Sequence, residues 1–387
     1  MDLGFNEEQE MLRRIAREFL DAECPKAHVR AMEEDEKGSS PELWKKMAEL
    51  GWVGLIIPEK YGGAGGTFLD MVVLGEEMGR ALLPSPFLPT AVCASMLIQE
   101  LGSEAQRQSL LPQIANGEKI VALALTEPSA TYQPEGIELR AAKDGNDFRL
   151  SGTKLFVAHA HIADQLIVVA RTGNVPEDIS LFLVEANTPG ISVSPFKTIS
   201  GERQAEITFN NARVPASGVL GEVNKGWEPL QKVLQAATVF QCAEMAGGAH
   251  KVVEMSVDYA KTRVQFGRPI GSFQAIQHYC ANMITDADGI KFLAYEAAWR
   301  VSEGLPAAKE VSMAKAWASD AYRRVTALGH QIHGGIGFTK DHDMQLYYRR
   351  AKAAELNLGD ADFHREVVAQ KIGLEAAAEP SLAAAKQ

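Results

Sequence analysis

Apolar and polar residues alternate in three different ways along the chain. In the N-terminal segment EEQEMLRRIAREFL the apolar side chains recur every three or four residues, which is the period of one face of an α-helix. Between residues 120 and 214 the apolar runs are short or strictly alternating, and glycine, proline and asparagine separate them, as in β-strands. From about residue 226 to 374 the helical period returns in long runs. The pattern therefore predicts helices, then strands, then helices.

Glycine-rich and turn sequences mark connections within these stretches. YGGAGG, from Tyr61 to Gly66, predicts a loop that ends where a helix begins near Thr67, and no GK[ST] follows it to suggest a phosphate-binding loop. KDGNDFRLSG predicts a hairpin turn between Asp144 and Asn146. Six or seven strands are expected in the middle stretch. We therefore predict an α+β protein with domains at 1–119, 120–226 and 227–387.

Composition and charge narrow the functional classes. The chain of 387 residues carries 39 basic and 50 acidic residues, a net charge of −11, so neither nucleic acid nor an anionic membrane is the expected partner. The N-terminus is charged rather than signal-like, and no apolar run approaches the roughly 20 residues of a membrane span. The four cysteines form no CxxC pair, and His159 and His161 have no third ligand candidate nearby in the sequence. We predict a cytoplasmic protein without a metal site.

Five segments spread over the chain carry a resemblance to a known family. They are ALALTEP, SGTKLFVAHAHIADQLIVVAR, YAKTRVQFGRPIGSFQAIQ, QIHGGIGF and YYRRAKAAELNLGD. The spacing RxxFG, then FQ, then QxxGGxG further along the chain is specific in combination, although each motif alone is weak. Together they resemble the acyl-CoA dehydrogenase family. The resemblance implies a helical N-terminal domain, a middle β-barrel or sandwich domain and a C-terminal four-helix bundle.

The resemblance also implies chemistry and partners. The family uses FAD to oxidise the Cα–Cβ bond of an acyl-CoA thioester in fatty acid or steroid breakdown. Its members are homo- or heterotetramers, so the expected partners are an acyl-CoA, another acyl-CoA dehydrogenase chain and, as electron acceptor, electron-transfer flavoprotein. An arginine suits the FAD pyrophosphate because its guanidinium is always charged, and glycines let the backbone approach the adenine.

By resemblance, the expected FAD contacts fall into two sets. The set that serves the FAD of a neighbouring subunit is Arg263, Phe266, Gln274, Gln331, Gly334 and Gly335. The set that meets the flavin ring within the chain is Thr126 and Phe156, the latter in place of the usual tryptophan. Taken singly, each residue also has an ordinary structural interpretation, such as a surface arginine, a helix end or a core aromatic.

The catalytic glutamate of the family is missing from both of its usual positions. Leu358 stands at one of them and Ala237 at the other, and neither side chain can accept a proton. Asp360, two residues from the first position, is one weak substitute. Glu244, two helical turns after Ala237 and on a shared face, is another. Sequence alone leaves the catalytic base unknown.

Further changes affect the positions expected around the flavin and the thioester. Tyr132 replaces a serine of the family pattern, and Ala158 replaces the hydroxyl residue that usually meets flavin N5. By contrast, the set of residues that serves the FAD of a neighbouring subunit matches the family pattern. We therefore predict a subunit that completes a partner's FAD site. The alternatives are a self-sufficient dehydrogenase for an unusual acyl group with a non-standard base, and a CoA- or flavin-binding module without a redox role.

Overall fold

The computed structural model describes residues 4–374. The alanine-rich sequence EAAAEPSLAAAKQ at the C-terminus predicts a frayed tail, and this tail lies outside the described residues. Six helices form the N-terminal part: α1 (Glu7–Glu23), α2 (Lys26–Glu34), α3 (Pro41–Glu49), α4 (Phe68–Ala81), α5 (Ser95–Leu101) and α6 (Glu104–Ala115). The predicted helix after the glycine-rich loop begins where expected, because Thr67 and Asp70 form a capping box at its start. No helix within residues 4–374 is both long and apolar enough to cross a lipid bilayer.

The middle part is one twisted sheet of eight strands. Its strands are β1 (Val121–Ala124), β2 (Arg140–Asp144), β3 (Asp147–Ala158), β4 (Gln165–Arg171), β5 (Ile179–Glu185), β6 (Ile191–Lys197), β7 (Arg203–Val214) and β8 (Val219–Leu220). The order is β6-β7-β3-β2-β4-β5-β8, and β1 pairs in parallel with β4. The predicted hairpin is present, with Gly145 at φ +63 in the turn between β2 and β3. The strand count exceeds the expected six or seven because β8 is too short to show a period.

Five helices follow the sheet within the described residues. They are α7 (Trp227–Thr262), α8 (Gln274–Ser302), α9 (Ala308–His333), α10 (Met344–Leu356) and α11 (Ala361–Lys371), and a small hairpin of β9 (Val264–Gln265) and β10 (Arg268–Pro269) joins α7 to α8. The three long helices pack against one another, and the two short ones pack on α9. Residues 357–360, which include Leu358, connect α10 to α11.

Helices α4 and α7 cross in backbone contact at two glycines. A Cβ at Gly79 would lie 1.9 Å from the carbonyl oxygen of Glu244, and a Cβ at Gly247 would lie 1.8 Å from that of Glu76. A side chain at either position would therefore force the helices apart. This crossing holds the middle of α7 against the N-terminal part and fixes the position of Glu244.

Candidate functional site

A buried ion pair fixes the segment that contains Thr126. Lys154 Nζ lies 2.6 Å from Glu127 Oε1 and donates to the carbonyl of Leu125 at 2.9 Å, with both charged side chains almost fully buried. Burial lowers the pKa of Lys154 to about 8, and Glu127 opposes this shift. A buried pair of this kind fixes geometry more than it adds stability. The Lys154–Glu127 pair holds β3 against the segment that follows β1, where Leu155 N donates a hydrogen bond to Thr126 O at 2.8 Å.

Phe156 is exposed at the end of β3. Its backbone has φ +55, a conformation that few residues other than glycine adopt, and 53% of the side chain is accessible. The ring packs on Phe196 in a T-shaped arrangement with 5.7 Å between centroids. Ala158 follows two residues later and lines a cavity. Phe156 is thus available to pack against a planar ligand.

Tyr132 spans the gap between Thr126 and Leu358. Its hydroxyl accepts a hydrogen bond from Leu358 N at 3.1 Å and also lies beside the Thr126 hydroxyl. The ring packs on Phe363 with 5.9 Å between centroids. Burial raises the pKa of Tyr132 above its ordinary value, so the hydroxyl keeps its proton at neutral pH. Tyr132 therefore fills the space between the expected flavin contact and a usual base position.

The two usual base positions are apolar, and one substitute is held in a structural role. Ala237 is fully buried in α7, and Leu358 has φ +58 and exposes its carbonyl oxygen to His364 Nε2 at 2.9 Å. Asp360 accepts a hydrogen bond from Phe363 N at 2.9 Å and so caps α11. The cap accounts for an aspartate at this position without any catalytic role.

Glu244 lines a cavity of about 110 Å³ at the junction of the helical and β parts, in a wall that combines polar and apolar side chains. Gln241 Nε2 donates to Glu244 Oε2 at 3.0 Å, and Asn357 Nδ2 donates to Gln241 Oε1 at 2.6 Å. Arg350 and Glu202, 2.6 Å apart, form an ion pair in the same wall. The structure thus gathers Glu244 and Ala158 around one cavity, whereas Ala237, Leu358 and Asp360 are not part of its lining.

Burial raises the pKa of Glu244 to about 8, assisted by Glu202 and opposed by Arg350. The folded state therefore binds this proton more tightly than the unfolded chain, whose carboxyl titrates near 4.5. The stabilising contribution is fully present below pH 4.5 and is lost as the pH rises through about 8. We expect Glu244→Gln to make the fall in unfolding free energy over this range shallower, as measured by urea denaturation at several pH values.

The matched control for this experiment is Glu228→Gln, which alters an exposed glutamate on the same helix. Its unfolding free energy should keep the pH dependence of the parent chain. If the unfolding free energy of Glu244→Gln fell with rising pH as steeply as that of the parent chain, this would contradict a protonated Glu244 in the folded state.

The residues expected to serve a neighbour lie on a separate, exposed surface. Arg263, Gln274, Gln331, Gly334 and Gly335 are all exposed, and Phe266 is 93% accessible with φ +54. Tyr259 stacks on His333 with 4.6 Å between ring centroids, which joins the end of α7 to the glycine segment. The surface also exposes apolar side chains, Phe338 at 72% among them. An exposed apolar and basic surface of this kind is typical of an interaction site.

The glycines of this surface fit a closely approaching ligand. A Cβ built at Gly334 or at Gly335 would meet no atom of the described chain within 4 Å. Gly334 has φ +63, which favours glycine for conformational reasons, but Gly335 has neither a positive φ nor a close neighbour. Packing within the chain thus gives no reason for glycine at position 335. Open space over bare backbone suits the adenine end of FAD.

A usual base position, Ala237, and a residue of the set that serves the neighbour, Arg263, lie towards opposite ends of α7. Ala237 lies in the first third of α7, and Arg263 is its C-terminal cap. A rise of about 1.5 Å per residue separates them by roughly 39 Å. The surface around Arg263 is therefore too far from Ala237 and Glu244 to belong to the same local site.

Comparison with known proteins identifies the scaffold. Models of the N-terminal, middle and C-terminal domains of acyl-CoA dehydrogenases match residues 6–118, 122–212 and 224–373. The fold and these matches define an oxidoreductase scaffold built of two helical domains and a β domain. The chain belongs to the acyl-CoA dehydrogenase family, whose members are FAD-dependent flavoproteins.

Individual relatives align over nearly the whole chain. Acryloyl-CoA reductase (NADH) of Anaerotignum propionicum is 35% identical and aligns over 96% of both chains. Butyryl-CoA dehydrogenase of Megasphaera elsdenii is 29% identical, with a TM-score of 0.90 over 96% of this chain and 100% of its own. The ChsE4–ChsE5 complex of Mycobacterium tuberculosis contains a chain that is 29% identical, with a TM-score of 0.89 over 97% of this chain and 100% of its own.

Sequence reasoning missed two parts of the site. Lys154 was detectable in principle, because a lysine at an inward position of an apolar strand requires a buried partner. The group formed by Arg350, Glu202 and Asn357 left no such signal. Glu202 precedes β7, whereas Arg350 lies on α10 and Asn357 directly follows it, so only the folded chain brings the three together.

Proposed function

We propose that this chain takes part in the α,β-dehydrogenation of an acyl-CoA as the subunit that completes the FAD site of a partner chain. The position of Tyr132 carries the proposal. Its hydroxyl accepts a hydrogen bond from the backbone N–H of Leu358 and contacts Thr126. Tyr132 thereby occupies the position between Thr126 and Leu358, and neither usual base position holds a carboxylate. The surface around Arg263 remains open for a neighbour.

FAD supplies the hydride acceptor when it is bound. In the partner's site, the Arg263 guanidinium would donate charge-assisted hydrogen bonds to the pyrophosphate. The bare backbone at Gly334 and Gly335 would admit the adenine, and the exposed Phe266 ring would exclude water from the nucleotide. None of these residues moves a proton, so the proton transfer of the reaction falls to the partner's carboxylate.

A relative that is itself a two-chain complex, ChsE4–ChsE5, supports a heteromeric assembly. The proposed partner is a second acyl-CoA dehydrogenase chain that carries the catalytic glutamate. Four further features stay predictions. They are a tetrameric assembly, electron transfer to electron-transfer flavoprotein, a role in fatty acid or steroid breakdown and a cytoplasmic location.

Flavin stoichiometry tests this proposal. Each flavin needs one intact half from each kind of chain, so the complex with the partner should hold about one FAD for every two chains. The absorbance of the released flavin, compared with the protein mass, gives the ratio of FAD to chains. Sedimentation gives the size of the assembly. One FAD per chain, bound by this protein expressed alone, would show that its own half works and would overturn the proposal.

Glu244 favours a second candidate, the self-sufficient dehydrogenase. Its carboxyl shares a cavity with Ala158, and a pKa of about 8 is suited to proton exchange near neutral pH. This candidate requires that Tyr132 vacate its position and that activity of the chain alone be lost in Glu244→Gln. The third alternative, a binding module without a redox role, would bind FAD without supporting turnover in any complex.

A further inference from the structure

Two histidine rings at the end of α9 support the connection between α9 and α10, residues 334–343. His330 and His333 are only 4% and 5% exposed. The His330 ring stacks on Phe338 of the connection with 4.5 Å between ring centroids, and the His333 ring lies 4.8 Å from that of His342. The connection therefore packs on α9 through two pairs of aromatic rings.

The hydrogen bond at His342 requires an uncharged ring. The backbone N–H of Met344, the first residue of α10, donates to His342 Nδ1 at 3.1 Å, so this nitrogen carries no proton. Charging the ring would put a proton on Nδ1 and replace the acceptor with a donor. The charge would also lie at the N-terminus of α10, where the helix dipole disfavours cations. Protonation of His342 thus removes a hydrogen bond that links the connection to α10.

The surroundings of His330 and His333 disfavour a positive charge. Burial lowers the pKa of both rings below the ordinary 6.5, and a charge on His342 lowers both further. Tyr259 of α7 and Tyr348 of α10 face the rings from the neighbouring elements. Among the described residues, no carboxylate stabilises a charge on either ring. The packed connection therefore loses stability as the pH falls below 6.5, where the opened chain binds the protons first.

The charged groups near His342 do not offset this effect. Arg30 of α2 forms an ion pair with Asp343 at 2.7 Å and donates to the Asp341 carbonyl oxygen at 2.8 Å. The Asp343 carboxylate is thus already paired with a cation. Lys340 and Asp341, on the same connection, carry opposite charges. Together these four side chains carry no net charge that would favour a proton on His342.

We propose that His330, His333 and His342 form an acid-sensitive support, whose protonation opens residues 334–343 as the pH falls below about 6.5 and lowers the FAD affinity of the partner's site. The flavin part rests on the proposed function, because this connection carries the glycines expected at the adenine. The opening itself is a property of this chain alone. Acid would thus regulate whether the chain can complete a partner's site.

Hydrogen exchange of the full chain without its partner tests the opening. Mass spectrometry at about pH 7.5 and about pH 5.5 gives the protection of the amides in residues 334–343, after correction for the intrinsic exchange rates. The protection should fall about two- to tenfold at the lower pH, as expected for the loss of one hydrogen bond.

Variants separate the charge from the rings. His330→Phe and His333→Phe keep stacking rings, and His342→Asn keeps an acceptor for the Met344 N–H, so the triple variant should lose the pH dependence. His278→Asn changes an exposed histidine on α8 and is the matched control, which should keep it. Thermal unfolding checks that each variant folds. If the triple variant does not fold, His342→Asn alone should still reduce the pH dependence.

Titration of the complex with FAD at the same two pH values measures the consequence for the partner. The parent complex should bind FAD about two- to tenfold more weakly at the lower pH, and the triple variant should not. Equal protection of the parent chain at both pH values, or a loss that persists in the non-titrating variants, would overturn the proposal. Opening without any change in FAD affinity would overturn its flavin part. A complex that holds no FAD would instead contradict the proposed function, while the exchange measurement still decides the opening.

Discussion

Replacement of Arg263 by alanine is expected to weaken FAD binding in the complex with the partner by about 10- to 150-fold. The guanidinium lies exposed at the end of α7. Loss of its charge-assisted hydrogen bonds to the pyrophosphate should lower the fraction of the partner's sites that holds flavin at a given flavin concentration. Titration of the apo-complex with FAD, followed by flavin fluorescence, gives the affinity.

Lys261→Ala is the matched control because it removes another exposed cation at the same end of α7. If Arg263 acted only through the overall charge of this surface, both variants would lose the same affinity. Asp360→Ala should barely alter FAD binding, although loss of the α11 cap should cost about 1 kcal/mol of stability. Unchanged FAD binding in Arg263→Ala would contradict the assignment of this surface to the partner's flavin.

The chain without its partner is expected to dehydrogenate butyryl-CoA and octanoyl-CoA at least about 10² to 10⁴ times more slowly than the complex, since a general base typically contributes this factor. Neither Leu358 nor Ala237 can accept the proton, and Asp360 is engaged at the helix cap. Steady-state reduction of an artificial electron acceptor measures both rates. Turnover by the unmodified chain at a rate near that of the complex would contradict the proposed division of roles.

Restoring the carboxylate should depend on removing Tyr132. In Leu358→Glu alone, the Tyr132 hydroxyl still accepts a hydrogen bond from the backbone N–H of residue 358. We therefore expect little increase in the dehydrogenation rate from this variant. Tyr132→Ser combined with Leu358→Glu should raise the rate of the flavin-loaded homomeric chain towards the same factor of about 10² to 10⁴. Tyr132→Ser alone is the control for the cleared space. Full recovery in Leu358→Glu alone would show that Tyr132 does not block the site.

The order of helices, strands and helices was predictable because periodicity is a local property of the chain. The burial of QLIVVAR as β4, the turn at Gly145 and the start of α4 after Thr67 all follow from neighbouring residues. The two-residue strand β8 escaped the prediction because its pairing with β5, rather than its own sequence, defines it. Local patterns thus determined the elements that extend over several residues.

The sequence by itself also determined the missing carboxylates, since Leu358 and Ala237 are apolar in any fold. Only the tertiary structure decided the roles of Asp360, Glu244 and Tyr132. In the fold, Asp360 caps a helix, Glu244 lines a cavity, and Tyr132 contacts Leu358, which is 226 residues away in the chain. The physical reason is that pKa values and space filling depend on atoms from distant segments, which sequence spacing does not encode.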